Sequence, residues 1–238
     1  PRMSPLASLP DTVARNLLGV FVDIDDTLTT DGRLTAEAYA ALEALHEAGL
    51  AVAPITGRPA GWCDMVARFW PVSGVVGENG AIYFAYDAPS RTMIRRFALD
   101  AETRADNRRR LRALAEKILA EVPGAAVSAD QLYREVDLAI DFCEDVAPLD
   151  QAAVRRIQEL FEAAGATAKI SSIHVNGWFG EHDKLSMTRR FAAERLGLDL
   201  EREKARFIFV GDSPNDAPIF AYFPHACGVA NVRRFAGQ

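Results

Sequence analysis

Three short apolar runs break off into polar clusters, and no other feature limits the folds open to this chain as much. Residues 17–24 run into Asp23-Ile24-Asp25-Asp26-Thr27, residues 50–55 into Thr56-Gly57-Arg58, and residues 206–210 into Gly211-Asp212-Ser213-Pro214-Asn215-Asp216. Short apolar runs bounded by turn residues read as buried strands. Helical spacing lies between them: residues 35–48 carry Leu42 and Leu45, with Gly49 where a C-cap is expected. A second helix is expected through Phe69, a strand at 74–76, and another at 81–86 after Asn79-Gly80, a pair suited to a hairpin turn. Strands alternating with helices predict a parallel α/β sheet.

The pattern changes between residues 88 and 179. A strand is expected at 91–97, a long helix at 100–122, an alternating strand at 134–142, a helix at 148–164 ended by Gly165, and a strand at 166–175. This block predicts a smaller α+β unit with two helices on one face of its sheet. The α/β pattern then resumes with a helix at 184–196 closed by Gly197, the strand at 206–210, and a short strand within 223–230. The expected division is therefore a discontinuous core, 1–87 and 180–238, with 88–179 inserted. The chain stops at Gln238 without an obvious closing helix, which raises the expectation of a further C-terminal segment.

Composition narrows the class. With 238 residues, 49% apolar and 25% charged, the chain suits one large domain or two of modest size. A net charge of −6 argues against nucleic acid as a general partner. Cys63, Cys143 and Cys227 are scattered and form no CxxC pair, which fits reduced thiols better than a disulfide framework or a zinc site. No apolar run approaches the roughly 20 residues of a membrane span, and no signal peptide is recognisable at the N-terminus. A soluble, cytoplasmic protein without a membrane partner is expected.

In open parallel sheets, ligands bind beyond the carboxyl ends of the strands. The three polar clusters can thus meet in one crevice. Asp23 and Asp25 flank a single residue, so at a strand end both side chains can point into that crevice. With Asp212 beside them they would repel strongly, and a divalent cation removes the problem. Oxygen ligands without His or Cys favour Mg²⁺. Carboxylates are known to act as nucleophiles that form aspartyl-phosphates, and a neighbouring carboxyl can serve as acid and then base.

These residues carry a resemblance. Asp23-Ile24-Asp25-Asp26-Thr27 resembles the DxDxT motif of the haloacid dehalogenase superfamily of phosphohydrolases; Thr56 fits the second motif, Lys184 the third, and residues 211–216 the fourth. The inserted block is similar in size and character to the type IIB cap, and ITGR followed by GENGA resembles the Cof-like branch. The resemblance implies an α/β, Rossmann-like core with an inserted α+β cap. It also implies a phosphatase: Asp23 the nucleophile, Asp25 the acid/base, Thr56 a phosphoryl hydrogen-bond donor, and Lys184 the neutralising cation. Mg²⁺ would be held by Asp23, the backbone carbonyl of Asp25, and Asp212, with Asp216 and Asn215 acting through its waters. The presence of Asp25 argues against carbon–halogen cleavage.

Asp26 departs from the usual glycine of Cof-like members and is read as shaping the loop, since Asp tolerates unusual dihedrals. Gly57, Arg58, Asn79, His174 and Asn176 are candidate substrate contacts. Asn79 also reads as part of a plain turn, and Trp178 and Phe179 are expected to pack the hinge between units. The stretch from Ser171 to Leu185, with His174, Asn176, His182 and Asp183, is similar to the mannosyl-3-phosphoglycerate, sucrose-phosphate and trehalose-phosphate phosphatase group. The expected substrate is a small phosphorylated metabolite, most simply a sugar phosphate. A phosphotransferase or phosphomutase on the same scaffold, and a non-catalytic phospho-ligand sensor, are the alternatives. The arginine-dense helix around Arg104–Arg112 is expected to be a solvated face.

Overall fold

A computed structural model describes residues 4–212 and 216–235. Four parallel strands form the central sheet, in the order His225–Gly228, Phe207–Gly211, Gly19–Val22, Ala51–Pro54. Gly19–Val22 lies inside the sheet, with Phe21 opposite both Phe209 and Ala53, and all four of its residues are buried. Phe21 also stacks on Phe207, with ring centroids 4.9 Å apart. Hydrophobic burial on both faces explains why the run is uniformly apolar. It also places the first acidic residue: Asp23 leaves the sheet from its middle, its N–H donating to Val210 O at 2.9 Å. Thr56 lies just beyond the strand on one side and Asp212 just beyond the strand on the other. Strand order alone therefore gathers the three polar clusters.

A single parallel bridge, Ile55 to Val76, joins this sheet to an antiparallel one of Val75–Gly77, Ile82–Asp87 and Thr92–Phe97. The domain boundary expected after residue 87 falls inside the second hairpin, where Asp87 pairs with Thr92. Met93, Ile94 and Phe97 pack against the core clusters, so residues 92–97 go with the core sheet. The inserted unit begins where Asp100 caps the helix Ala101–Glu121, its side chain accepting from Thr103 N.

The inserted sheet is antiparallel, in the order Thr167–Ile170, His174–Trp178, Leu138–Asp141, Ala126–Val127. The strand expected at 166–175 is a hairpin instead: Ser171 N and Oγ both donate to His174 O, at 2.8 and 2.9 Å, and close a turn. The strand expected at 134–142 begins only at Leu138, because Glu135, Val136 and Asp137 direct their N–H groups at the side chain of Glu78. Side chains alternate across a sheet. One face supplies Leu138, Ile140, Ala168 and Val175 to an apolar cluster with Leu111, Leu114 and Ile118 of the helix Ala101–Glu121 and Ile157, Leu160 and Phe161 of the helix Gln151–Ala163. By the same alternation the opposite face carries Thr167, Lys169, Asp141, His174, Asn176 and Trp178. That polar face is turned to the core. Among the described residues no helix is long and apolar enough to cross a membrane.

The chain returns to the core through the helix Lys184–Leu196, which starts at a capping box of Asp183 and Ser186. Its first turn lies against the turn Glu78–Gly80, the close approach that Gly80 permits. At φ 96°, a Cβ on residue 80 would fall 1.9 Å from Asp183 O and 2.6 Å from Lys184 N. Overpacking of this kind costs about 1–3 kcal/mol, and the positive φ adds to it. Gly80→Ala should therefore lower stability by at least about 2 kcal/mol in urea unfolding. A change below about half a kcal/mol, the range of neutral surface substitutions, would show that the turn and the helix start are not in contact in solution.

Candidate active site

Asp23 projects from the central strand end and meets Lys184, whose Nζ donates to Asp23 Oδ1 at 3.0 Å and to Asp216 Oδ1 at 2.8 Å. All three side chains are buried. Burial opposes the charge on Lys184, but Asp23 and Asp216 outweigh it and hold its pKa above the usual lysine range. Burial pushes Asp23 up, to about 8; Lys184 offsets this in part, while Asp216 and Asp25 add to it. One ammonium is thus too little positive charge for the carboxylates gathered here.

The residues fit a hard divalent cation. Asp23, Asp212 and Asp216 are buried, and each offers an oxygen within 4.8 Å of the others. Asp216 Oδ2 is buried and finds no hydrogen-bond partner among the described residues. Gly211 leaves room for it: a Cβ there would come within 2.8 Å of that oxygen. A set of oxygen donors with no nitrogen or sulfur suits Mg²⁺. Asn215, expected to act on the metal's waters, lies outside the described residues. Asp25 is not one of the clustered carboxylates.

Asp25 faces Arg58 instead. The guanidinium forks onto it, with Nε donating to Oδ1 and Oδ2 at 3.0 and 3.1 Å and Nη2 to Oδ1 at 2.8 Å. Arg58 also reaches Glu144 Oε1 at 3.4 Å and lies 3.6 Å from Asp130 Oδ2, both in the inserted unit, and it stacks over Trp62 at 4.4 Å. Arg58, a candidate substrate contact by sequence, therefore meets three carboxylates, leaving Trp62 on its face. Thr56 is buried beside Gly57, and its Oγ1 accepts from Arg58 N at 3.0 Å, which leaves its own hydroxyl hydrogen free to point elsewhere. Asp26 adopts φ 59°, the left-handed region that glycine reaches most easily, and its N–H donates to Thr29 Oγ1 at 3.0 Å. That geometry accounts for an Asp at a position where glycine is usual.

The other candidate contacts lie at the seam between core and inserted unit. Asn79 and Asn176 donate to the same oxygen, Asp137 Oδ2, at 3.3 and 3.1 Å. His174 Nε2 lies 2.8 Å from Glu144 Oε2, within ion-pair distance but off the line of a hydrogen bond. Sequence reasoning did not find Arg134, Asp130, Asp137, Glu144 or Glu78. Arg134 is buried between Asp130 and Asp137, and its Nη1 donates across the seam to Gly57 O at 3.0 Å. Glu78 is fully buried, and its carboxylate accepts from the N–H groups of Ala60, Glu135, Val136 and Asp137 at 2.7–3.1 Å. Burial pushes Glu78 up, to about 7, and Asp137 adds to this, while Arg134 and the N–H groups of Glu135 and Ala60 pull it down. The available signal was a charged residue set inside apolar surroundings: Glu78 after Val75-Val76-Gly77, and Asp137 before Leu138-Ala139-Ile140.

The signature of haloacid dehalogenase-like hydrolases matches residues 17–223 of the chain. Similar solved structures include protein 0175 of Thermoplasma acidophilum, with TM-score 0.68 and 18% identity over 93% of this chain and 90% of that one. A haloacid dehalogenase-like hydrolase from B. subtilis matches with TM-score 0.64 and 15% identity over 92% and 91%. A subclass IIB sugar phosphatase of that superfamily matches with TM-score 0.58 and 16% identity over 92% and 91%. At these identities the likeness is one of fold. No curated protein matches the chain by sequence.

The seam offers a direct test of how the two units are held. Gln at position 78 would turn an amide NH₂ towards backbone N–H donors and lose about half of the four bonds. Glu78→Gln should destabilise the protein by about 1–3 kcal/mol and make residues 134–137 exchange their amide hydrogens faster. Unchanged exchange at 135–137 would show that Glu78 does not anchor the inserted unit.

Proposed function

Because the chain belongs to the haloacid dehalogenase-like hydrolases, we propose that it is a Mg²⁺-dependent phosphatase acting on a small phosphorylated metabolite, a sugar phosphate, through an aspartyl-phosphate. The observation that carries this reading is the Lys184 ammonium between Asp23 and Asp216, set against three clustered carboxylates. We place the enzyme in the cytoplasm, in keeping with three unpaired cysteines. The inserted α+β unit serves as the cap.

The work is divided among the residues. Asp23 attacks phosphorus through its carboxylate, the P–O ester bond breaks, and Asp23 becomes the aspartyl-phosphate. Asp25 gives a proton to the departing alkoxide oxygen, then takes one from the water that attacks the aspartyl-phosphate, so that Asp23 and inorganic phosphate are released. In the unliganded site Arg58 holds Asp25, and Asp25 exchanges that contact for the leaving oxygen when substrate binds. Thr56 donates its free hydroxyl to a phosphoryl oxygen. Lys184 favours the ionised form of Asp23 against burial, and balances the charge spread over the phosphoryl oxygens. Mg²⁺ would be held by Asp23, Asp212 and the backbone carbonyl of Asp25, with Asp216 and Asn215 reaching it through water, and would supply further positive charge to the phosphoryl group. Gly57 passes the backbone close to Asn79, and Asn79 and Asn176, both donating to Asp137, stand at the seam as candidate contacts for the rest of the substrate.

Phosphate release over a panel of phosphorylated metabolites tests the reading, with Mg²⁺ and with chelator. Wild type should turn over at least one ester, chelator should abolish that turnover, and Asp23→Asn should lower kcat by at least about a hundredfold. Asp25→Ala should lose turnover of alkyl phosphates yet still bind Mg²⁺. Full activity in Asp23→Asn, or no hydrolysis of any ester by wild type, overturns the proposal.

A further inference from the structure

The helix Ala60–Phe69 follows directly on the loop that carries Thr56 and Arg58, and it is apolar on two sides. Ala60, Cys63, Val66 and Ala67 are buried in a core cluster with Val75, Ile82 and Phe84. On a second side Trp62, Met65 and Phe69 recur at i, i+3 and i+7 and stay exposed. Asp64 and Arg68 are its only charged residues. A helix apolar over most of its circumference belongs in an interior, yet this one lies at the surface.

The apolar stripe continues across the seam. Tyr133 of the inserted unit lies over Gly61, where a Cβ would meet Tyr133 Cβ at 2.9 Å and its ring at 3.2 Å. Leu132 precedes it in the short helix Ala129–Tyr133. Exposure is 92% at Leu132, 74% at Phe69, 57% at Tyr133, 42% at Met65 and 38% at Trp62. Eight large apolar side chains are exposed among the described residues, and five of them belong to these two adjoining segments. Single exposed apolar residues need no explanation, but a gathered patch marks an interaction site. The charges beside the stripe already have partners. Asp64 accepts from Arg68 Nε at 2.8 Å and from Arg95 Nη2 at 2.6 Å. Arg58, 4.4 Å from the centre of the Trp62 ring, is paired with Asp25 and Glu144.

We propose that two copies of the chain meet on this face, in a two-fold dimer that packs the stripe of one copy on the same stripe of the other. Area and charge both favour a second copy. An aromatic side chain offers about 150–250 Å², so at these exposures the five side chains leave roughly 500 Å² of apolar surface uncovered. A stable interface takes about 800 Å² from each partner, of which about 65% is apolar in homodimers. The stripe is therefore large enough to be the apolar centre of such an interface. A two-fold axis sets each residue of the stripe opposite the same patch of the other copy. Because Asp64 and Arg58 are answered within the chain, this pairing sets no lone charge against its own copy, and a partner chosen by charge finds little to select it. Core and inserted unit each give part of the stripe, so a second copy rests on both and holds them together beside Arg58.

Sedimentation equilibrium of the full chain tests the proposal. Wild type should be a dimer with a dissociation constant of about 10 µM or tighter. Phe69→Glu and Leu132→Glu, one from each unit, should each weaken association at least about thirtyfold. Both side chains are exposed, so these variants should fold, which circular dichroism checks. Hydrogen exchange on wild type reads the same face without a substitution: amides in 60–69 and 129–133 should slow as the protein is concentrated through the association. A wild type that stays monomeric at about 100 µM, a dimer insensitive to both substitutions, or association without slowing in these segments overturns the proposal. A monomer would leave the face to a different protein.

Discussion

The ammonium of Lys184 lets Asp23 and Asp216 share a buried space that neither could occupy as a lone charge. Removing a charge from water is costly unless a partner answers it, and here one ammonium donates to two carboxyl groups, at 3.0 and 2.8 Å. The arrangement depends on elements far apart in sequence. The strand Gly19–Val22 supplies Asp23, the start of the helix Lys184–Leu196 supplies the lysine, and the segment after Phe207–Gly211 supplies Asp212 and Asp216. Each is placed by apolar packing that has no direct part in the chemistry, from the Phe21–Phe207 stack to the contact of Gly80 with the helix start.

A second buried anion plays a different part. Glu78 lies in the core, but three of the four N–H groups it holds belong to residues 135–137 of the inserted unit. A backbone that would otherwise extend the strand Leu138–Asp141 is drawn off to meet it. Arg134 then donates to Gly57 O, beside Thr56. The inserted unit is thus seated on the loop that carries the second polar cluster. Its position and that of the core loop are linked through hydrogen bonds to main chain, which tolerate little displacement.

Much of this was legible in the sequence, and the remainder was hidden for physical reasons. Parallel strands buried on both faces appear as unbroken apolar runs, so the central sheet, with Asp23, Thr56 and Asp212 just beyond the ends of neighbouring strands, could be read directly. Helix ends marked by Gly49, Gly165 and Gly197 were readable because each takes a positive φ, at 80°, 76° and 69°. The hairpin at Ser171 was missed since its two strands form one continuous stretch without a strong turn residue. Residues 134–137 read as a strand because alternation records which side chains are buried, not where the backbone hydrogen bonds go. Arg58, Asn79, Asn176 and His174 were recognised as polar groups near the crevice, yet their partners Asp25, Asp137 and Glu144 are set by tertiary packing. Periodicity carries no record of such pairings.

Arg58 shows why the two halves of the crevice are not independent. The same guanidinium holds both oxygens of Asp25 and touches Glu144 and Asp130 of the inserted unit. Any shift of the inserted unit that carried Glu144 away would change the balance of charge at Arg58, and with it the hold on Asp25. Hydrogen bonds between a planar fork and a carboxylate are directional, so a small rotation of the guanidinium moves or releases the carboxylate. The residue that the second polar cluster places beside Thr56 is in this way the physical link between how the inserted unit sits and where Asp25 points. A lysine would supply the charge but could not bridge the two units in one plane, which accounts for an arginine at position 58.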